Sequence, residues 1–573
     1  MKRQVFLLTL PCLAVWFSTL LLPSSNLQAQ QGVPDAARVG FEAISAQNLR
    51  AVLTYLAGPE FKGRGNGTES LQMAGAYITS EFARAGLKPA GDDTSYFQHF
   101  RIYTVRPASN GNALVVKQGG VTRTLVANAD FLSAQVSANA SADGGLVFVG
   151  YGISAPELGY DDYAARKGEW VSGRIAVVLG GEPQEKDPKS VFEGLAGTDY
   201  ARIDTKARNA QAHGAVGLIV ITKTKDRDEA LHDVLTVPTG YRPDAITREK
   251  PMMLLTAPDP ITIPVVTLRA DVSQTLLKDE LGKVRPSAEI EQEIDRTLKP
   301  VTFPLSGTTA TLSVNLERDV IPTRNVIGLL EGTDPQLKNE YLVIGAHYDH
   351  DGEGRGQIWA GADDDGSGTT GLIELVRAFT TNPIRPKRSI LFAAWSAEEK
   401  GLLGSYSYTY NPRRPLDQTV AMLQMDMIGR NEDHPATPNS DYTEEKDEVN
   451  GNMLNIVGSK FSDDLGRIVR EQNRAVGLDL KYRYDFGVQN LNRRSDQYPF
   501  LKKGIPAIFY FTGLHPDYHT PRDTPDKINY PKMEKVVRLV YLTAWDVANS
   551  ETRPRYQRPT NTTTEVLVPP KPA

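Results

Sequence analysis

The chain of 573 residues has a single cysteine, Cys12, and it sits in the N-terminal apolar stretch. Once that stretch is cleaved no thiol remains, which excludes a disulfide framework, a thiolate nucleophile and a cysteine-based zinc site. Any metal has to be held by histidines and carboxylates, and there are only eight histidines: His99, His213, His232, His347, His350, His434, His515 and His519. A strong excess of one charge is missing too. The formal net charge is −5 and no long basic run occurs, so the electrostatic footprint of a nucleic-acid binder is absent. With 40% hydrophobic and 23% charged residues the composition is globular, which excludes wholesale disorder. No internal repeat is evident.

The length exceeds one ordinary core and predicts about two to four domains. The chain opens with a basic start, an apolar run from Val5 to Leu22, and then small and polar residues. This is export-signal anatomy, with residues 1–29 as the signal and cleavage after Ala29. An uncleaved anchor is the alternative, because the run is nearly long enough to span a membrane. Pro11, Pro23 and the LQA-Q ending favour cleavage. The expected product is secreted or periplasmic, free of the membrane, and of no assignable oligomeric state.

From Ala46 to Ala90 the pattern is helical, with a loop FKGRGNGT (Phe61 to Thr68) feeding a helix. On that helix Leu71, Ala74, Tyr77, Ile78, Phe82 and Ala85 recur at helical spacing. Arg64 reads as a loop residue without chemistry. Residues 114–299 change to short β-type runs, among them Leu146 to Val149, Arg174 to Leu179, Gly217 to Ile221 and Ile263 to Leu268, with a helix over Ile203 to His213. They hold no close cluster of ligand types and predict a smaller, non-catalytic α/β domain.

A Pro-rich hinge at Lys299 to Pro304 opens the segment 300–550, where nearly continuous apolar runs alternate with helical periodicity. The runs are NVIGLLEG, YLVIGAHYD, SILFAAW, TVAMLQMDM and IPAIFYF; GTTGLIELVRAFTT and Asn452 to Gly477 read as helices. Such alternation predicts an α/β fold with a doubly wound, mostly parallel central sheet and flanking helices. Ligands are then expected beyond the carboxyl ends of the strands. Residues 551–573, rich in Pro, Thr and charge, are expected to be a disordered tail.

Gly345 to Gly368 gathers His347, Asp349 and three consecutive aspartates, Asp363, Asp364 and Asp365. An isolated DDDG is a solvated acidic loop as readily as a metal site. The difference here is placement. His347 and Asp349 follow one predicted strand, Glu398 and Glu399 another, Asp426 closes a third and His519 lies in the loop after the last, so every candidate falls at one sheet edge. A mixed histidine and carboxylate set points to zinc. Two histidines and at least five carboxylates exceed the needs of one ion; a carboxylate shared by two ions about 3.5 to 4 Å apart fits better.

The motifs HYD, GADDDGSG, AEEKGLLGS, MDMIG and YHTPRDT resemble, in order, those of the di-zinc aminopeptidase family, which includes secreted bacterial leucyl aminopeptidases and glutamate carboxypeptidase II. The likeness covers about Asn325 to Ser550. Residues 33–113 look like the N-terminal part of the same domain. The stretch VFVGYGISAPELGYDDY (Val147 to Tyr163) resembles an inserted protease-associated domain. The resemblance implies two zinc ions, one on His347 and Asp426, the other on Glu399 and His519, bridged by Asp364. It also implies a cis peptide between Asp364 and Asp365, Glu398 as general base, Asp349 as the carboxylate that orients His347, and Tyr518 as an aid to the tetrahedral intermediate. The implied activity is zinc-dependent exopeptidase action on peptides or proteins, foremost removal of N-terminal residues.

Carboxypeptidase or dipeptidase action on the same fold is the alternative, since pocket walls choose the peptide end. A receptor-like homologue without zinc would lack ligands that are all present here. His350 competes with His347, which alone fits HxD. Pro516 argues against a helical His515/His519 pair. His99, His213, His232 and His434 read as structural. Gln497 stands where many members have histidine and is left out; Asp496 is a possible substrate-side residue, and Arg493 with Arg494 could meet a substrate carboxylate. Ser367 is no nucleophile elbow, because Asp365 takes the first glycine position.

Overall fold

The computed structural model describes residues 32–166, 170–187, 189–194, 197–222, 252–255, 260–274, 276–354, 356–435, 444–486 and 491–558. The expected signal, 1–29, His232 and the far tail, 559–573, lie outside them. Among the described residues no helix is long and apolar enough to cross a membrane.

The largest sheet among the described residues is ten-stranded. Its main strands are β1 (Phe97–Pro107), β2 (Leu316–Leu330), β3 (Tyr341–His347), β4 (Ser389–Trp395), β5 (Thr419–Met425), β6 (Met453–Val457), β7 (Asp479–Lys481) and β8 (Ala507–Phe511). They run in the order β1-β2-β4-β3-β5-β8-β6-β7, with Met252–Leu254 outside β1. The central four, β4, β3, β5 and β8, are parallel. Every residue of β4, β5 and β8 is buried, because both faces are covered by helices, and this is why their sequences are unbroken apolar runs. Outside this parallel centre β2 pairs antiparallel with β4 and β1, and β6 pairs antiparallel with β8 and parallel with β7.

The helices α1 (Ala46–Leu56), α2 (Glu69–Arg84), α3 (Gly368–Thr381), α4 (Leu403–Tyr410), α5 (Asp463–Asn473) and α6 (Tyr530–Asn549) supply those covers. On α3 the predicted stripe Leu372, Leu375, Val376 and Phe379 is buried, and the Phe379 ring lies 4.6 Å from that of Tyr541 on α6. Each such side chain contributes roughly 1.5–3 kcal/mol. On the opposite face Trp395, Tyr408 and Phe500 pack together. The helix expected over Asn452 to Gly477 is corrected: Met453–Val457 is the buried strand β6, and α5 starts only at Asp463, where the Ser462 side chain accepts the N–H of Leu465.

The second sheet has eight strands, ordered Val121–Leu125, Ala113–Gln118, Thr302–Val314, Ala140–Val149, Ile175–Leu179, Gly217–Ile221, Val265–Leu268, Phe131–Ser133. The boundary expected at 299/300 moves accordingly. Thr302–Val314 pairs on both sides within this sheet, because Phe303, Leu305, Ala310, Leu312 and Val314 alternate inward. Pro304 is accommodated where the register shifts, so the stretch read as a hinge enters a strand. Conversely Met252–Leu254, inside the span given to the smaller domain, pairs with β1 of the larger sheet.

The β1–β2 ladder runs from Phe97 opposite Val326 to Pro107 opposite Leu316. The chain leaves for the second sheet at Ala113 and returns from it at Val314, so both junctions lie at one end of that ladder. Residues 551–558, expected to be disordered, are bound instead. Arg553 pairs with Glu340 at 2.8 Å, Arg555 with Asp464 at 2.8 Å, and Tyr556 stacks on Phe461.

Candidate metal centre

The carboxyl edge of the parallel strands gathers the candidates. His347 ends β3; Glu398 and Glu399 sit in the turn after β4; Asp426 follows β5; His519 lies in the loop after β8. Asp364 comes from the turn before α3, and its peptide bond to Asp365 is cis. Asp364 stands between the two histidines, with Oδ1 3.2 Å from His347 Nε2 and Oδ2 2.9 Å from His519 Nε2. His347 Nε2 is also 3.6 Å from Glu398 Oε2 and from Asp426 Oδ1, and His519 Nε2 is 3.2 Å from Glu399 Oε2.

These groups are buried, and their proton affinities follow from it. Burial alone would depress the His347 imidazolium, but Glu398, Asp426 and Asp364 around it hold its pKa well above the histidine value. The adjacent glutamates are driven apart. Burial, together with Asp426 and Glu399, pushes the Glu398 carboxyl far up. The same burial is overcome at Glu399 by His519 and His350, which hold it far down. Burial and the neighbouring charges thus separate two adjacent carboxyls, Glu398 holding its proton far more tightly than Glu399.

The donor set fits zinc. Nε2 of both His347 and His519 is buried and makes no hydrogen bond, a costly arrangement unless a cation meets those atoms. Ligand atoms of His347, Asp364 and Asp426 lie within 4.8 Å of one another, as do those of His350, Asp364 and Glu399 and those of Asp351, Glu399 and His519. Imidazole nitrogens mixed with carboxylate oxygens suit zinc.

Asp349 lies against both His347 and the turn that carries Glu398 and Glu399. Its carboxylate is 3.8 Å from His347 Nδ1, and that nitrogen hydrogen-bonds instead to the Asp349 carbonyl oxygen at 3.1 Å. The carboxylate accepts the backbone N–H groups of Glu398 at 3.1 Å and Glu399 at 3.4 Å. Tyr518 lies beside His519, its hydroxyl pushed up to about 12 by burial and accepting from Arg494 Nη2 at 3.2 Å. Arg493 is engaged by Glu193 and the Gly197 carbonyl of the second domain and is not available to a substrate carboxylate.

His350, weighed against His347 in the sequence, lies in the centre as well, together with Asp351, Asp523 and Ser495. His350 Nδ1 is 2.8 Å from Glu399 Oε1, and Asp351 Oδ2 is 3.1 Å from His519 Nδ1. Their place in GAHYDHDG was the available signal. Asp523 accepts the N–H groups of Asp363 and Asp364, and Ser495 donates to Asp426. Asp363 accepts Gly429 N–H at 2.7 Å, and Asp365 accepts those of His347, Gly368 and Met427, so both brace the turn. His515 is buried 3.3 Å from Asp363 Oδ2, outside the centre. Asp496 accepts Ser405 Oγ at 2.5 Å, and Gln497 bonds to the Asn492 carbonyl. His99 meets Asp92, His213 stacks on Tyr163 and His434 meets Glu432, all away from the centre.

Comparison with known proteins agrees with this architecture. Residues 325–544 match the model of peptidase family M28, and residues 121–276 that of the PA domain. Probable leucine aminopeptidase 2 of Aspergillus fumigatus is 31% identical over 235 residues, 41% of this chain and 42% of the relative. Aminopeptidase Y of Saccharomyces cerevisiae is 28% identical over 236 residues, 41% of this chain and 38% of the relative. The chain thus spans less than half the length of these two relatives. Among solved structures, an aminopeptidase from Aneurinibacillus sp. strain AM-1 aligns over 92% of this chain and 98% of its own, at 19% identity and a TM-score of 0.45.

Proposed function

We propose, on the premise that residues 325–544 form a peptidase family M28 domain into whose sheet a PA domain is inserted, that the chain is a zinc-dependent aminopeptidase. The observation that carries the reading is Asp364, one oxygen towards each of two histidines whose buried Nε2 atoms lack hydrogen bonds. Two zinc ions would be held, one by His347 and Asp426, the other by Glu399 and His519, with Asp364 shared. Bound zinc supplies Lewis acidity towards a peptide carbonyl and a water of lowered pKa. Glu398 is the general base of this reading: it takes the proton of the attacking water and hands it to the leaving amine. The Tyr518 hydroxyl donates a hydrogen bond to the carbonyl oxygen as charge develops there.

The relatives named aminopeptidases support removal of N-terminal residues over the carboxypeptidase or dipeptidase alternative. The basic start and apolar run before Ala29 support export, with peptides or proteins outside the cytoplasm as substrates. The deciding assay offers zinc-loaded protein free, N-acetylated and C-amidated peptides. Cleavage that requires the free amine is expected; cleavage blocked by C-amidation alone would reverse the assignment.

A further inference from the structure

The loop Phe61 to Thr68 contributes no ligand candidate, yet it is built into the metal centre. Its backbone lies flush against Gly352 and Trp359: a Cβ on Gly63, at φ +69°, would stand 2.2 Å from Trp359 O and 2.4 Å from Gly352 O. Arg64 is fully buried and donates to Tyr348 O at 2.9 Å, Ala360 O at 2.8 Å and Gly361 O at 2.8 Å, while its own carbonyl accepts His350 N–H. The guanidinium thereby ties the end of β3 to the turn that carries Asp364.

Two residues on, Asn66 Nδ2 donates to Asp349 Oδ2 at 2.7 Å. Asp349 in turn receives the N–H of Glu398 on Oδ1 and that of Glu399 on Oδ2. The Asn66 bond is the shortest of the three, and a buried carboxylate that loses its best donor seeks another. His347 Nδ1, 3.8 Å from Oδ1, is within reach of a small rotation. Such a rotation would release the two glutamate amides together.

We propose that Asn66 is a positioning residue of the reaction: by holding the Asp349 carboxylate against the Glu398–Glu399 turn it fixes the direction in which the base Glu398 projects. The inference rests on the peptidase reading above. Displacing a catalytic group by about 1 Å can cost on the order of 10²-fold in rate, so a hydrogen bond two residues removed from chemistry can matter.

The test uses the full chain loaded with zinc and compares Asn66→Ala with wild type. Asn66→Asp, equal in size, replaces it if the alanine variant does not fold. Lys62→Ala serves as a control in the same loop, since its amine meets only Glu353 at the surface. In Asn66→Ala kcat is expected to fall about 10–100-fold, with KM, bound zinc and Tm near wild type. In a Glu398→Gln background the same substitution should cost nothing further, because Asn66 acts through that base. A kcat within about twofold of wild type, a loss explained by missing zinc, or full additivity in the double variant overturns the proposal. A wild type that binds no zinc and cleaves no peptide sinks the peptidase reading; an active wild type with an equally active Asn66→Ala sinks only this inference.

Discussion

Ser495 Oγ donates a 2.6 Å hydrogen bond to Asp426 Oδ2, which leaves Oδ1, 3.6 Å from His347 Nε2, as the oxygen facing the centre. The bond selects which lone pairs Asp426 offers. Ser495→Ala is therefore expected to weaken zinc binding about 10-fold or more. Competition with a chelator measures it, and unchanged affinity would remove Ser495 from the site.

Glu398→Gln keeps the size and burial of the side chain and removes the proton acceptor. Peptide hydrolysis should fall about 10²–10⁴-fold, while bound zinc and Tm stay near wild type. Retained activity would assign the base to another residue.

Burial pushes the carboxyls of Asp162 and Glu182, both in the segment that matches the PA domain, up to about 7. Asp162 accepts the N–H groups of Tyr151 and Ile153 and the hydroxyl of Tyr160. Both folded pKa values lie above the unfolded ones, so the stability each group contributes is fully present below about pH 4 and lost as pH rises through about 7. Asp162→Asn cannot ionise. Its Tm relative to wild type should rise between about pH 4 and 7, and a difference independent of pH would contradict the assignment.

Arg388 is fully buried, pairs with Glu340 at 2.6 Å and donates to the carbonyls of Val547 and Ser550, joining β4 to the end of α6. Arg388→Ala removes the partner of Glu340 Oε2, leaving Arg553 on Oε1, and strands the buried Val547 carbonyl. A loss of about 3–5 kcal/mol in unfolding free energy is expected from urea titration, and a loss under about 1 kcal/mol would show that water replaces the guanidinium.

The sequence was most legible where burial on both faces wrote itself as apolar runs. β3, β4, β5 and β8 could be read that way, and the ligand types at their ends followed from the rule for open α/β sheets. Asn66 and Arg64 were illegible for a physical reason: they act on carbonyls and a carboxylate some three hundred positions away, through contacts that leave no local pattern. His350 was set aside because HxD accommodates one histidine, whereas the fold turns a second ring towards Glu399. The domain boundary was misread because Pro304 looks like a break in sequence and is a strand irregularity in space.

The closeness of the two junctions at Pro107 and Leu316 bears on how the chain folds. β1 and β2 are separated by the whole inserted segment that carries the second sheet, and joining them directly would impose the closure entropy of a very long loop. An insert that folds first presents its two ends side by side. The pairing of β1 with β2 then becomes, in effect, a local event, and the slow search across that separation is confined to the insert's own sheet.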